Sequence, residues 1–256
     1  MQNIKKMFID NQVHEFKKNE PTDIGMINKH YIVLEMIKKH SKISDRILDV
    51  GCSDGKILKS LMADGYTKLY GVDIQEDASH AFDDTKIHFA SCDFENEKIP
   101  FAGKFDLIII SDVLEHTFSP QTVLYDLRPK LAPAGKIVFS MPNAGWFANG
   151  ILLTFFPSKL FVSTAFGPWG HTHQFTFYEV KKMTNVLKYK ILELKGGKLD
   201  NYAFKVGIKK LAFDMFVRMT SPLARKWPVL FSAHIFGVIE VTSKSPALKD
   251  RFDSGL

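Results

Sequence analysis

The sequence predicts an α/β fold: a doubly wound, mainly parallel sheet with helices on both faces. Three observations carry the prediction. Short apolar runs alternate with helix-period segments from about residue 44 to residue 195. The runs are almost continuously apolar, as strands covered on both faces are. A strand also passes through a glycine-containing turn straight into a helix at 48–55, the kind of junction at which such sheets bind ligands.

The elements follow in chain order. Residues 23–40 carry Ile27, Tyr31, Leu34 and Ile37 at helical spacing, so a leading helix is expected behind a short arm. Strands are expected at 46–50, 68–73, 86–90, 105–111 and 135–141, each apolar and bounded by Gly, Asp or Pro. Between them, 56–63 sets Ile57, Leu58 and Leu61 on one side, and 120–131 begins with Pro120, where a missing N–H costs little. Residues 143–177 hold Gly145, Gly150, Pro157, Gly167, Pro168 and Gly170 among many aromatics and read as an insertion or lid. A helix near 178–187, a strand near 189–195, a second interruption at 196–232 and a closing strand at 235–242 complete the chain. The last two strands suit an antiparallel pair, which puts one reversed strand in the sheet. The organisation expected is therefore a helical arm at 1–43 and one domain at 44–256 with two insertions.

Composition narrows the function classes. Hydrophobic residues are 45% and charged residues 24% of 256, an ordinary globular balance that argues against disorder. Cys52 and Cys92 alone exclude a disulfide framework and suit a reducing cytoplasm. The charged first 20 residues predict no signal peptide, and no apolar run approaches the roughly 20 residues needed to span a bilayer. From Lys181 onward there are 15 basic and 6 acidic residues, so the net +6 is concentrated there. Such an excess suits nucleic acid, anionic lipid, a phosphorylated small molecule or a plainly solvated face.

The sharpest chemical signal is L-D-V-G-C-S-D-G at 48–55. As a nucleotide site, Gly51 and Gly55 let the backbone turn close to a ligand, and Asp73, ending the next strand, can accept the protons of two ribose hydroxyls. The same letters satisfy G-x-S-x-G, but a nucleophile elbow follows several earlier strands and none precedes this one. A ligand-free turn leaves Asp73 unexplained. Asp49 and Asp54 make the turn acidic, which repels a dinucleotide pyrophosphate and suits the ammonium and sulfonium of S-adenosylmethionine.

With G-V-D-I at 71–74, S-C-D-F at 91–94, F-D-L-I-I-I-S-D-V-L-E-H at 105–116 and L-x-P-x-G-K-I-V-F-S-M-P-N at 131–143 in order behind that turn, the chain resembles the class I S-adenosylmethionine-dependent methyltransferases, especially their small-molecule and quinone-biosynthesis branch. The resemblance implies a Rossmann-like seven-stranded sheet, order 3-2-1-4-5-7-6, with the last strand antiparallel. It implies that Asp49, Gly51 and Ser53 surround the methionine part and Asp73 holds the ribose. Ile74 would flank adenine, Asp93 and Phe94 would meet its amino edge, and Ser111 would line the methionine side. Ser53 stands where the pattern usually has Gly.

Methyl transfer from a sulfonium is an in-line displacement, so catalysis is mostly positioning. A base is needed for a hydroxyl acceptor or an amine held as ammonium, and His116, His171 and His173 are the candidates. Asp112, Glu115 and His116 form D-x-x-E-H, a spacing that puts three ligand atoms on one helical face. A related E-x-x-E-H pattern accompanies a divalent ion in some quinone O-methyltransferases. Asp shortens the first reach, so a solvated turn without metal is expected. The acceptor expected is a polar small molecule, such as a sugar or phosphorylated metabolite. The alternatives are a quinone or lipid met at a membrane surface, suggested by the apolar insertion, and a cofactor-binding module without turnover. The basic amphipathic segment 203–219, with Lys205, Lys209, Lys210 and Arg218, suits a lid, a lipid surface or a phosphate. Nucleic acid is not expected as a partner, because no reader module accompanies the positive charge.

Overall fold

The computed structural model describes residues 28–83, 85–155, 170–197, 222–223 and 226–242. Helix α1 (Asn28–His40) leads into β1 (Arg46–Val50), α2 (Lys56–Ala63), β2 (Lys68–Asp73), β3 (His88–Ser91) and β4 (Phe105–Ser111). Then come α3 (Pro120–Leu127), β5 (Leu131–Pro142), α4 (Phe147–Phe155), α5 (Phe177–Val186), β6 (Tyr189–Gly197), α6 (Pro228–Phe231) and β7 (His234–Val241). The strands form one sheet in the order β3-β2-β1-β4-β5-β7-β6. Neighbours from β3 to β5 pair in parallel, and β7 pairs antiparallel with both β5 and β6. The expected order and the single reversed strand are both present.

Strand alternation divides the core between the two faces. Leu48, Ile108, Ile110 and Phe139 point to the side covered by Val123, Leu124 and Leu127 of α3 and Phe177 and Val180 of α5. Ile47, Leu107, Ile109 and Val138 point to the side covered by Val33, Leu34 and Ile37 of α1 and Ile57, Leu58 and Leu61 of α2. Burying each such side chain contributes roughly 1.5–3 kcal/mol, which explains why the central strands lack polar alternation. Helix α1 is thus part of one core layer. Its last turn is pinned to the sheet by Lys136 Nζ donating to the His40 carbonyl at 3.0 Å and by Lys39 and His40 meeting Glu193 at 2.8 and 3.0 Å.

Several boundaries differ from expectation, each for a local reason. The helix expected over 120–131 ends at Leu127 and continues as a 3-10 turn over Arg128–Lys130, because Pro129 has no N–H and its ring opposes the preceding helical turn. β5 begins at Leu131 rather than at 135: Leu131 pairs with Phe105 across a register shift, and Ala134 takes a left-handed φ of 59°. β3 begins at His88, because Thr85 closes a turn onto Phe82 and its hydroxyl receives the Ile87 N–H. A 3-10 helix, Glu76–Phe82, fills the stretch between β2 and β3, for which no element was expected. In the first insertion the structure shows α4, and the amphipathic segment 203–219 lies outside the described residues.

Candidate active site

The carboxyl ends of β1, β2 and β4 converge on the turn that follows β1. Gly51 has φ 76°, and its N–H donates to the Val72 carbonyl at 2.8 Å, as does that of Cys52 at 3.1 Å. A Cβ on Gly51 would run into Val113, and one on Gly55 (φ 73°) into the Phe82 ring. Both glycines therefore serve close packing as well as a left-handed backbone. Ser53 has φ 48°, so the departure from Gly costs some backbone strain, on the order of 1–2 kcal/mol. Its N–H donates to Asp73 Oδ2 at 2.8 Å, while the Gln75 N–H donates to Asp73 Oδ1 at 2.9 Å. Asp73 thus ties the two turns together, and each of its oxygens retains acceptor capacity.

Asp49 and Asp73 are buried. Burial, and then the Asp73 charge, push the Asp49 carboxyl well above its ordinary range. Burial also raises Asp73, against the three backbone N–H groups that lower it. A cationic ligand relieves both carboxylates, so the residues fit the ammonium, sulfonium and ribose of S-adenosylmethionine. Ile74 is half-exposed on the lip beyond Asp73. Asp93 and Phe94 are partly buried; Asp93 accepts the Glu95 N–H at 3.2 Å and is bonded to Asn96. Ser111 lies at the end of β4, its hydroxyl 2.7 Å from that of Ser140.

Past Ser111 the chain departs from the expected helix face. Asp112 takes a left-handed φ of 53° ahead of the short turn that carries Glu115 and His116, and its charge still reaches both of them. Its carboxylate is bound by Lys29 of α1 and by Ser140 Oγ at 3.1 Å. Burial opposes ionisation of Asp112, but Lys29, His234 and Ser140 outweigh it and hold the carboxyl well below its usual range. The i, i+3, i+4 arrangement of Asp112, Glu115 and His116 is therefore not formed. Only a short 3-10 turn, Leu114–His116, exists there.

His171 stands beside the other two. Thr172 and His173 donate their N–H groups to the Glu115 carbonyl at 2.8 and 3.1 Å, stitching the end of the first insertion onto this turn. The His116 and His171 rings meet edge to face at 4.8 Å. Ligand atoms of Glu115, His116 and His171 lie within 4.8 Å of one another and can hold a metal ion. Burial lowers His116 to about 4; burial and then the His116 charge lower His171 to about 3. Both imidazoles are neutral near pH 7 and can accept a proton or a cation. His173 is set apart, its Nε2 3.3 Å from the Phe118 carbonyl and its ring stacked on Phe175. The sequence reading missed Lys29, 83 residues from its partner.

The comparisons with known proteins agree with this architecture. A family model described as a methyltransferase domain matches residues 16–185. A curated relative, the ubiquinone biosynthesis O-methyltransferase of Hydrogenovibrio crunogenus, is 27% identical over 172 residues, covering 64% of this chain and 69% of the relative. Further curated relatives of the same name are matched over 43–54% of their length. A Mesorhizobium loti S-adenosylmethionine-dependent methyltransferase structure aligns with a TM-score of 0.55 at 16% identity, covering 82% of this chain and 96% of that one. The plantazolicin methyltransferase BpumL, solved with S-adenosylhomocysteine, aligns at 0.52 and 16% identity over 94% of this chain and 90% of its own. With the domain match spanning most of the folded region and the strand order that of the Rossmann-like methyltransferases, the chain belongs to the methyltransferase-domain family of S-adenosylmethionine-dependent enzymes.

Proposed function

We propose that the chain transfers the methyl group of S-adenosylmethionine to a hydroxyl of a quinol-like or other hydrophobic small molecule. The observation that carries the reading is the cluster of Glu115, His116 and His171 past the carboxyl end of β4, beside the turn that joins Asp49, Gly51 and Asp73. S-adenosylmethionine supplies an already activated methyl group. The chain's residues orient it: Asp49, Gly51, Ser53 and Ser111 around the amino-acid end, Asp73 on the ribose, and Ile74, Asp93 and Phe94 around adenine. A hydroxyl must lose its proton as it attacks, and the cluster of Glu115, His116 and His171 is where that loss is assisted. His173, on the rim beside Phe118, contacts the acceptor rather than its proton.

The quinone reading is supported over the sugar reading by the names of the curated relatives. It is also supported by exposed apolar side chains near the first insertion and β7: Ile151 and Phe155 on α4, with Trp227, Val229 and Leu230 around α6. Such a surface suits contact with a membrane-dissolved acceptor. Among the described residues no helix is long and apolar enough to cross a membrane. The test is incubation with methyl-labelled S-adenosylmethionine and a whole-cell extract, followed by partition between water and organic solvent. Label in the organic phase supports this reading. Label confined to water restores the polar-metabolite reading, and no transfer despite cofactor binding points to a module without turnover.

A further inference from the structure

We infer that Glu115, His116 and His171 of this chain form a site for a divalent cation of the zinc class, with His171 from the first insertion, and not Asp112, as the third ligand. The inference deepens the methyl-transfer reading, on which its place beside the acceptor rests. Glu115 is 1% exposed, and neither of its carboxylate oxygens has a hydrogen-bond partner; His171 Nδ1 is likewise buried and unpartnered. An unsatisfied buried polar group costs about 1–3 kcal/mol, more when charged, so two converging on one spot need an explanation that a cation supplies. The ligand atoms lie within 4.8 Å of one another. Ligands at about 2.0–2.1 Å from a tetrahedral ion are roughly 3.3 Å apart, so side-chain rotation of about an ångström closes the set.

The surroundings agree with the assignment. His116 is hydrogen-bonded to the Gly170 backbone, the outer contact that commonly fixes the ring orientation of a metal-bound histidine. Two imidazoles with one carboxylate suit zinc, cobalt or iron rather than magnesium, which prefers an all-oxygen octahedron. Asp112 is engaged by Lys29 and Ser140 and does not belong to the cluster. The first insertion thus brings a third ligand to a motif for which a turn without metal was expected. A cation here supplies Lewis acidity that lowers the pKa of a hydroxyl it meets.

The test uses the full chain, stripped with a chelator and dialysed. Co2+ is titrated and followed by its visible ligand-field bands, and S-adenosylhomocysteine binding is measured by calorimetry on the same preparation. One equivalent of Co2+ should saturate the bands, with displacement by Zn2+ and not by Mg2+. E115Q, nearly isosteric, should still bind S-adenosylhomocysteine while losing Co2+ affinity by roughly 100-fold or more, as H171A should, because each removes one of three ligands. D112N should lose far less Co2+ affinity than H171A, since Asp112 acts on this set through its charge and not as a ligand. Absence of the bands in wild-type protein that binds S-adenosylhomocysteine overturns the inference. So does undiminished Co2+ affinity in E115Q, or a loss in D112N as large as in H171A. Failure of wild-type protein to bind S-adenosylhomocysteine instead counts against the proposed function, and the Co2+ titration still decides the cation site.

Discussion

Replacing Gly51 by alanine tests the turn at the centre of the site. Two costs combine. Alanine at φ 76° loses about 1–2 kcal/mol to left-handed strain. Its Cβ also runs into Val113 Cγ2, and overpacking of this kind costs about 1–3 kcal/mol. The total expected is about 2–5 kcal/mol. Gly65→Ala separates the two contributions, because Gly65 also has a positive φ, 94°, but nothing lies within 4 Å of its missing Cβ. It should lose only the backbone part, about 1–2 kcal/mol. The assay is urea unfolding followed by circular dichroism, with the slope checked for constancy so that the midpoints report stability. The steric share should then reappear in a double-mutant cycle: Gly51→Ala with Val113→Ala should lose about 1–3 kcal/mol less than the two single losses together. If Gly51→Ala costs no more than Gly65→Ala, or shows no coupling to Val113→Ala, the close-packing argument is wrong.

Further predictions concern charge. Asp73→Asn should weaken S-adenosylhomocysteine binding at least tenfold by calorimetry, because it removes the charged acceptor proposed for the ribose hydroxyls and a hydrogen bond to a charged group is worth about 1.5–3 kcal/mol; unchanged affinity would remove the ribose assignment. Lys29→Met should cost about 3–5 kcal/mol by leaving Asp112 charged and enclosed, the two side chains being only 19% and 16% exposed. Adding Asp112→Asn should recover part of that loss in the same urea assay. His116 and His171 are held near 4 and 3 against an ordinary 6.5, so the unfolded chain binds more protons than the folded one between those values. Their contribution is present above pH 6.5 and is lost as pH falls toward 4. His116→Gln with His171→Gln should flatten the drop in thermal midpoint over that window, and an unaltered profile would place the proton uptake elsewhere. Glu115 has the opposite sign. Burial and then the Asp112 charge raise it, so stability is lost as pH rises above 4.5, and Glu115→Gln should gain most, relative to wild type, toward neutral and higher pH.

What the sequence could reveal follows from how far each signal reaches along the chain. The turn at 48–55 and the carboxylate of Asp73 are legible because strand, glycines and acid are close in sequence and each type has a narrow set of uses. The strands buried on both faces, such as Phe105–Ser111, are legible because their central residues, 107–110 here, are all apolar. β3 is short, carries polar termini and is only partly buried, so its register depends on the Thr85 turn rather than on any pattern. The acceptor side is the least legible part. Asp112 is engaged by Lys29 from a distant helix, and His171 is brought beside Glu115 by the backbone bonds of Thr172 and His173 across more than fifty positions. No periodicity encodes either. Lys29 in α1 looks like any solvated helix lysine until the fold sets it against Asp112.

The position of β7 has a consequence for how the molecule is made. Among the described residues it is the last strand in sequence but next to last in space, wedged between β5 and β6. As the chain emerges during synthesis, β5 can pair with β4 early, yet its other edge has no partner until residues beyond 234 appear. For that interval a long apolar strand, Ile137–Met141 included, presents unpaired N–H and C=O groups, the template on which strands from other chains add. β6 waits in the same condition, since among the described residues it pairs with β7 alone. Truncation before β7 should therefore yield aggregated rather than merely inactive protein. Soluble expression of nested C-terminal deletions would show the transition falling at the β7 boundary, making the closing strand a checkpoint of biosynthesis.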